Sequence, residues 1–357
     1  MSNPADGRAR QAAWAEPTAE LVAPGVHRVP LPLPTDGLHA VNVYVLETES
    51  GLTLVDGGWA IAAARRQLEV SLRSIGHHPR DIGSFLVTHA HRDHYTQAAA
   101  IRSEFGRATV FLGSGERSNI ESCTGAGEMP YVSRLRACGA AEEARGWEQW
   151  AEANQPDPAD WQEPDRWISG DCTIEVGSRS LRAVPTPGHT AGHVVFADLE
   201  AGILFAGDHV LPTITPSVGF EAAGGELPLA DYLESLALVR TLPDLQLLPA
   251  HGPVTSSTHA RVDELLAHHE TRLSATLEVA RAGASSPKEV AVSLPWTRHE
   301  RTYRELDTFN AGMAVMESKV HLDVLAARGE LECRLVDGEW RYEVVSRGAV
   351  GCPRPRQ

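Results

Sequence analysis

Apolar positions along this chain fall into two rhythms, one of strands and one of helices. From Ala40 to Leu46 the sequence AVNVYVL has strand character, a Glu-Ser-Gly turn follows, and Leu52 to Asp56 (LTLVD) runs back as its hairpin partner. After Gly57 and Gly58, Ile61 to Ile75 carries apolar residues at helical spacing, and Ser84 to Val87 is a short apolar strand ending at Thr88. A helix from Thr96 to about Phe105 and a strand from Ala108 to Leu112 complete a βαβ-like pattern. That pattern places the intervening HAHRDH cluster at the carboxyl end of a strand, where α/β proteins build their sites.

A second strand-rich stretch begins at Cys172, with CTIEV, LRAVP from Leu181, HVVFAD from His193 and ILFAGD from Ile203, each bounded by Gly or Pro. Leu229 to Leu242 reads as a helix, LQLLPAHG from Leu245 as a strand entering a loop, and Ser257 to Ala282 as a long helix. Two strand-rich halves, each edged by helices, predict an α+β protein built as an αββα sandwich. Between them, residues 125–170 break the rhythm with Glu, Asp, Pro and four tryptophans (Trp147, Trp150, Trp161, Trp167). This insertion is read either as a helical elaboration that covers the domain or as a lid with apolar walls. From Ser285 the pattern is helix, helix, then a hairpin turning at Asp337-Gly338, the outline of a winged-helix-like module. The expected organisation is a loose tail over 1–20, a catalytic domain over 21–283 and the small module over 284–350.

Composition narrows the function classes. The 357 residues are 42% hydrophobic and 22% charged, an ordinary globular balance, and no apolar run approaches the length of a membrane helix. A net charge of −15 opposes a nucleic-acid polyanion, whose binding draws on clustered Lys and Arg. In the tail, Glu300, Glu305, Glu317 and Asp323 offset Arg298, Arg301, Arg304 and Lys319, so no clean basic face is expected there. Packing beside the active site or a dimer contact is the better role for that module, and Met313, Val315, Met316, Val320 and Leu322 read as helix core. Cys123, Cys138, Cys172, Cys333 and Cys352 form no CxxC pair, and the polar N-terminus does not resemble a signal peptide, so reduced thiols in a cytoplasmic protein are expected.

The chemistry lies in histidines and aspartates that follow predicted strands. His89, His91, Asp93 and His94 form an H-x-H-x-D-H group, and His189 in PTPGHTAGH, Asp208 in LFAGDH and His251 in LPAHGP come later. One histidine before a turn is ordinarily a surface or satisfied core residue; seven potential ligands in the same structural position reverse that expectation. Imidazole and carboxylate donors suit zinc, iron or manganese, and alternating residues on a short extended loop face one ion from one side. An aspartate such as Asp208 can bridge two ions and leave room for a shared water, which loses a proton near neutral pH.

With VDGG at Val55–Gly58, these five motifs resemble the metallo-β-lactamase superfamily in content and order, over roughly Val22 to Ala282. The tail is similar to an extension found in a subgroup of glyoxalase II-like proteins. The resemblance implies that His89, His91 and His189 hold a first metal and Asp93, His94 and His251 a second, with Asp208 bridging and Asp56 orienting the His loop. It implies two divalent ions, zinc first and iron or manganese as alternatives, and a metal-bridging hydroxide that attacks a thioester or ester of a small acyl substrate. Class B β-lactamases carry cysteine or serine where Asp208 stands, and flavodiiron oxygen reductases carry glutamate where His91 stands, so both branches are disfavoured. A lactonase, a phosphodiesterase or endoribonuclease, and a mononuclear iron persulfide dioxygenase are the rivals. The sequence departs from the family form after His94, where Tyr95-Thr96-Gln97 replaces a small, Gly-rich continuation.

Other residues carry two readings each. Tyr95 either donates to a developing oxyanion as a catalytic residue beside Asp93 and Asp208, or simply packs. His193 and His209 either support the ligands or serve the strands. His39, Asn42 and Tyr44 are assigned to sheet packing, and His77 and His78 to a solvated turn. His268, His269 and Arg272 share a helix that either contacts substrate or faces solvent.

Overall fold

The computed structural model describes residues 14–33, 38–124, 130–221, 225–297 and 299–345. The first part of the tail, Arg298 and Cys352 lie outside the described residues. By contact clustering the chain divides into a unit of Met1–Tyr131 with Glu148–His269 and a unit of Val132–Trp147 with Glu270–Gln357.

The first unit holds two sheets. One runs in sequence order through β1 (Glu20–Ala23), β2 (Val26–Pro32), β3 (Ala40–Thr48), β4 (Gly51–Val55), β5 (Ile82–Leu86), β6 (Thr109–Gly113) and β7 (Arg166–Ile168). The other is ordered β12-β11-β10-β9-β8, from Cys172–Val176 (β8), Arg179–Pro185 (β9), Val194–Asp198 (β10), Ile203–Gly207 (β11) and Gln246–Pro249 (β12). Tyr44, Leu46, Val55 and Leu86 of the first sheet share one buried cluster with Leu181, Phe196, Phe205 and Leu248 of the second, so the sheets pack face to face. On the other side of the first sheet, Leu31, Val43, Leu54 and Phe85 bury against Ala64, Leu68 and Leu72 of α1 (Ala62–Ser74) and Ala98, Ala99 and Ile101 of α2 (Arg92–Phe105). The second sheet is flanked by α6 (Pro228–Arg240) and α7 (Thr258–Arg281), fastened by hydrogen bonds from Ser235 Oγ to Pro187 O and Thr258 Oγ1 to Leu245 O. Every residue of β10 and β11 is buried, as expected of strands covered on both faces. The mixed α+β sandwich anticipated from the two rhythms is present.

β4, β5 and β6 are parallel, so their carboxyl ends share one edge. There the VDGG turn clasps the first turns of α2: Gly57 N–H donates to His94 O at 2.7 Å, and Gln97 N–H donates to Gly58 O at 3.0 Å. Only a residue without a side chain fits, because a Cβ on Gly57 would lie 2.7 Å from Ala98 N and 2.8 Å from Ala98 Cβ.

The structure differs from the sequence reading at the edges of the first sheet. The sheet begins at Glu20 and not at Ala40, and the preceding residues are tied down: Arg28 Nη1 donates to Trp14 O at 2.7 Å and Gln67 Nε2 to Pro17 O at 2.9 Å. Two prolines and a buried arginine in VHRVPLP hide the strand's alternation. At the far edge, β7 joins β6 from within the stretch read as an insertion, three residues being too few to show a period.

In the second unit, the N-terminal half of α5 (Ala141–Ala153), α8 (Pro287–Ser293), α9 (Thr308–Ala327) and the hairpin of β13 (Leu331–Val336) and β14 (Glu339–Val344) form the body. α8 starts with a capping box, Ser286 Oγ accepting from Glu289 N–H and Glu289 Oε2 accepting from Ser286 N–H. α9 is buried nearly all round, Val315, Met316, Val320 and Leu322 included. Trp147 stacks on Phe309 with ring centroids 5.0 Å apart and closes against Gly312. No helix among the described residues is long and apolar enough to cross a membrane.

Replacing Gly57 with alanine should wedge α2 from the end of β4 and cost about 1–3 kcal/mol by overpacking. Chemical denaturation checks this; an unchanged midpoint and slope would show that the clasp yields freely.

Candidate metal centre

Seven side chains gather at the carboxyl edges of both sheets. His89 and His91 follow β5, Asp93 and His94 lie in the first turn of α2, His189 follows β9, Asp208 follows β11 and His251 follows β12. Three overlapping groups of donor atoms lie within 4.8 Å of one another: His89, His91 and His189; His89, His94 and Asp208; Asp93, His94 and His251.

The proton positions on the rings follow from what surrounds them. Thr88 Oγ1 gives its proton to Asp56 Oδ2 at 3.1 Å, so it accepts from His89 Nδ1 at 3.0 Å and leaves His89 Nε2 with a lone pair. His94 Nδ1 donates to Asp56 Oδ2 at 2.9 Å, His189 Nδ1 to Ser217 O at 2.7 Å and His251 Nδ1 to Ala40 O at 2.8 Å. His91 is inverted: its Nε2 donates to Glu221 Oε1 at 2.8 Å, leaving Nδ1 as the inward atom. In its neutral form each ring would therefore turn one lone pair to the centre.

Those lone pairs face one another. His89 Nε2 stands 2.8 Å from His91 Nδ1, which stands 3.1 Å from His189 Nε2, with each ring's proton already committed elsewhere. His94 Nε2, His251 Nε2 and Asp208 Oδ1 are buried without a hydrogen-bond partner, an expensive condition unless a cation fills the space. Asp208 directs Oδ2 to His189 Nε2 at 3.6 Å, and Oδ1 to His251 Nε2 at 3.4 Å and His94 Nε2 at 3.7 Å. Its two oxygens thus serve the two halves of the cluster. The donor set fits divalent metal ions.

Electrostatics agree. Burial, with His91 beside it, lowers His189 to about 4, and burial with its histidine neighbours holds His89 well below the usual imidazole range. Burial also opposes charge on His94, but Asp93, Asp56 and Asp208 together outweigh it and raise the ring to about 10. Asp93 and Asp208 are held below the ordinary carboxylate range against burial, chiefly by His94 and His251 for Asp93 and by His251 and His94 for Asp208. Positive charge is favoured on the side of the cluster that carries Asp93 and Asp208 and disfavoured on the rings of His89 and His189.

Neighbouring loops fix the ligands. Asp56, at φ 62°, accepts Thr88 N–H at 2.8 Å on Oδ1 and serves His89 and His94 through Oδ2, the orienting role the sequence suggested. His193 Nε2 accepts Asp208 N–H at 3.2 Å while its Nδ1 donates to Thr186 Oγ1 at 2.9 Å, so it positions the loop of Asp208. Asn42 and Tyr44, assigned to sheet packing, do more: Asn42 Nδ2 donates to Pro249 O and Gly252 O, both at 2.9 Å, and Tyr44 OH donates to Pro249 O at 2.8 Å, fastening the His251 loop. His209 is buried with its ring against Tyr232, and His269 lies against the same tyrosine. His77 faces Glu47 and His78 caps a short turn. Arg272 is not a solvated residue: it donates to Pro295 O and stacks on Trp296.

Tyr95 is a correction. Its ring is fully buried in the core between the first sheet and α2 and stacks on Trp161, and its hydroxyl donates to Gln162 O. One residue past His94 on a helix turns a side chain about 100° away, so Tyr95 points into the protein and offers no donor to the metal side. Glu221 was missed; it lies 130 residues from His91 in a Gly-rich loop, with no periodicity to mark it.

The family model of the metallo-beta-lactamase superfamily matches residues 36–251, and the chain belongs to that superfamily. A metallo-beta-lactamase family protein from Thermus thermophilus is 28% identical with a TM-score of 0.75, over 90% of this chain and 99% of that one. A beta-lactamase domain protein from Burkholderia ambifaria is 26% identical with a TM-score of 0.73, over 93% and 96%. Among curated proteins, the lactamase-like protein aptB of Emericella nidulans is 27% identical over 69% of this chain and 62% of its own length. The lactamase-like protein nscB of Neosartorya fischeri is 36% identical, but the match spans only 29% of either chain. Family and relatives point to a hydrolase with a metal-binding His/Asp cluster.

Two substitutions separate the roles assigned above. Tyr95→Phe should cost about 1 kcal/mol of stability for a lost buried hydrogen bond and leave turnover unchanged; a large fall in kcat at constant metal content would restore its catalytic role. Asp56→Asn should weaken metal binding by about 10–100-fold, read by competition with a chelator.

Proposed function

We propose that this protein is a dinuclear metal-dependent hydrolase of small-molecule thioesters or esters. The reading rests on one observation above all: Asp208 turns Oδ2 to His189 Nε2, beside the facing nitrogens of His89 and His91, and Oδ1 to the unpartnered Nε2 atoms of His94 and His251. His89, His91 and His189 would hold one ion, Asp93, His94 and His251 the other, and Asp208 both. Zinc suits these donors, as do iron and manganese. Two such ions, when bound, lower the pKa of a shared water and polarise a carbonyl.

The chain's own residues supply the rest. Asp208 and Asp93 are kept ionised by the surrounding histidines, and Asp93 would orient the attacking water by accepting its hydrogen bond. The buried rings of His89 and His94 keep the centre shielded from bulk solvent on the protein side. No side-chain nucleophile is required. A net charge of −15 favours a small acyl substrate over RNA or DNA. Within the second unit, Lys319 pairs with Asp323 and Arg272 with Glu317, which supports the reading of a winged-helix-like module without a nucleic-acid face. Cys123, Cys138, Cys172 and Cys333 are free thiols, in keeping with a cytoplasmic location.

The test is a hydrolysis screen on metal-quantified protein with acyl-thioesters, esters, lactones, β-lactams and a phosphodiester. Thioester or ester turnover with about two metals per chain, abolished by Asp208→Ala, is expected. Full activity in that variant, or cleavage of the phosphodiester alone, would reject the proposal.

A further inference from the structure

Beneath His91 and His189 lies a second set of buried polar groups that the hydrolytic reading does not use. Glu116 is fully buried in the turn Ser114–Glu116 after β6, and Asn119 is buried in α3 (Arg117–Thr124). The Nδ2 group of Asn119 donates one proton to Glu116 Oε2, at 2.7 Å, and the other to Glu221 Oε2. Glu116 Oε1 accepts from the hydroxyl of Thr190, the residue after His189, and Glu221 Oε1 accepts from His91 Nε2 at 2.8 Å. A continuous chain therefore runs from His91 through Glu221, Asn119 and Glu116 to Thr190.

Two features single out Glu221. His91 is the one cluster histidine whose inward atom is Nδ1, and the acceptor that sets this inversion is a carboxylate and not a backbone carbonyl. Asn119 has both amide protons committed to carboxylates, so Glu221 is flanked by two donors and its two oxygens are both required as acceptors. We propose that Glu221, held by Asn119 and Glu116, is a positioning residue that fixes the tautomer of His91 and thereby sets the affinity of the first metal position, that of His89, His91 and His189. This rests on the dinuclear reading. Asp56 holds His94 directly and reaches His89 through Thr88, so it serves both positions, whereas Glu221 serves the first alone.

The two glutamates differ in what they can tolerate. In Glu116→Gln the new amide can face Thr190, whose hydroxyl can accept as readily as donate, and the remaining oxygen still serves Asn119. Burial, together with Glu221, already raises the Glu116 carboxyl to about 7. In Glu221→Gln the new amide must face either Asn119 or His91, and both are donors. Where it faces His91, the ring moves its proton to Nδ1 and loses the inward lone pair.

The experiment is cobalt(II) titration of the metal-stripped full chain, following visible absorption and chelator competition, with circular dichroism to verify folding. Wild type should take up about two ions. Glu221→Gln should keep one with wild-type affinity and bind the other about 10–100-fold more weakly, losing the spectrum of the three-histidine position. Glu116→Gln should resemble wild type. Should Glu221→Gln fail to fold, Asn119→Ala carries the test, with the same loss at the first position to a smaller degree. Two ions at wild-type affinity in the folded Glu221→Gln or Asn119→Ala protein, or equal weakening of both positions, would overturn the assignment of Glu221. A wild-type chain that binds no cobalt would overturn the dinuclear reading itself, an outcome distinct from either.

Discussion

Lone pairs that point at one another in a buried space repel, and this protein assembles several of them within hydrogen-bond distance. The rings of His89, His91 and His189 present nitrogen atoms at 2.8 and 3.1 Å with their protons turned outward, and His94, His251 and Asp208 add three unpartnered atoms beside them. Such an arrangement costs several kcal/mol of desolvation in the absence of a cation. The rest of the first unit supplies the rigidity that holds these groups in place.

That rigidity comes from strand ends. Parallel pairing of β4 with β5, and of β11 with β12, brings Asp56 beside Thr88 and Asp208 beside the His251 loop. The second contact is extended by Ala250 N–H donating to Gly207 O at 3.0 Å. Gly207, at φ 51°, precedes Asp208 where a Cβ would lie 2.7 Å from His193 Nε2 and from Thr88 Cβ, so the two sheets' loops meet at a point with no room for a side chain. Asn42 and Tyr44 bring β3 to the same loop through its carbonyls. The candidate ligands thus sit on loops and on the first turn of α2, each following a buried strand of one of the two sheets.

Much of this was legible in the sequence because it has a local signature. The HAHRDH cluster, the glycine-flanked His189 and Asp208 and the AHG of His251 each follow an apolar run, and the order of strands follows from those runs. What was not legible lacks such a signature. β2 carries two prolines and a buried arginine, so its alternation is broken, and β7 is three residues long. Tyr95 was misread because its position next to His94 in sequence says nothing of direction on a helix; the core contact with Trp161 decides that. Glu221 depends on a contact across 130 positions, and the acceptor roles of Ser217 and Ala40 are played by backbone carbonyls, which no residue type announces.

The charges around the two positions suggest why the supports differ. Asp93 and Asp208 both face the position shared with His94 and His251, and Asp56 lies directly behind His94. The position of His89, His91 and His189 has three neutral ligands and only one oxygen of Asp208. A dication there would sit among imidazoles with little compensating charge in a medium of low dielectric, where an ion's own charge governs the local balance. Glu221 behind His91 is a carboxylate that would offset such a charge from one ring away. A charge held in this outer layer would leave a coordination position of an ion there free for water, whereas a further carboxylate ligand would fill it.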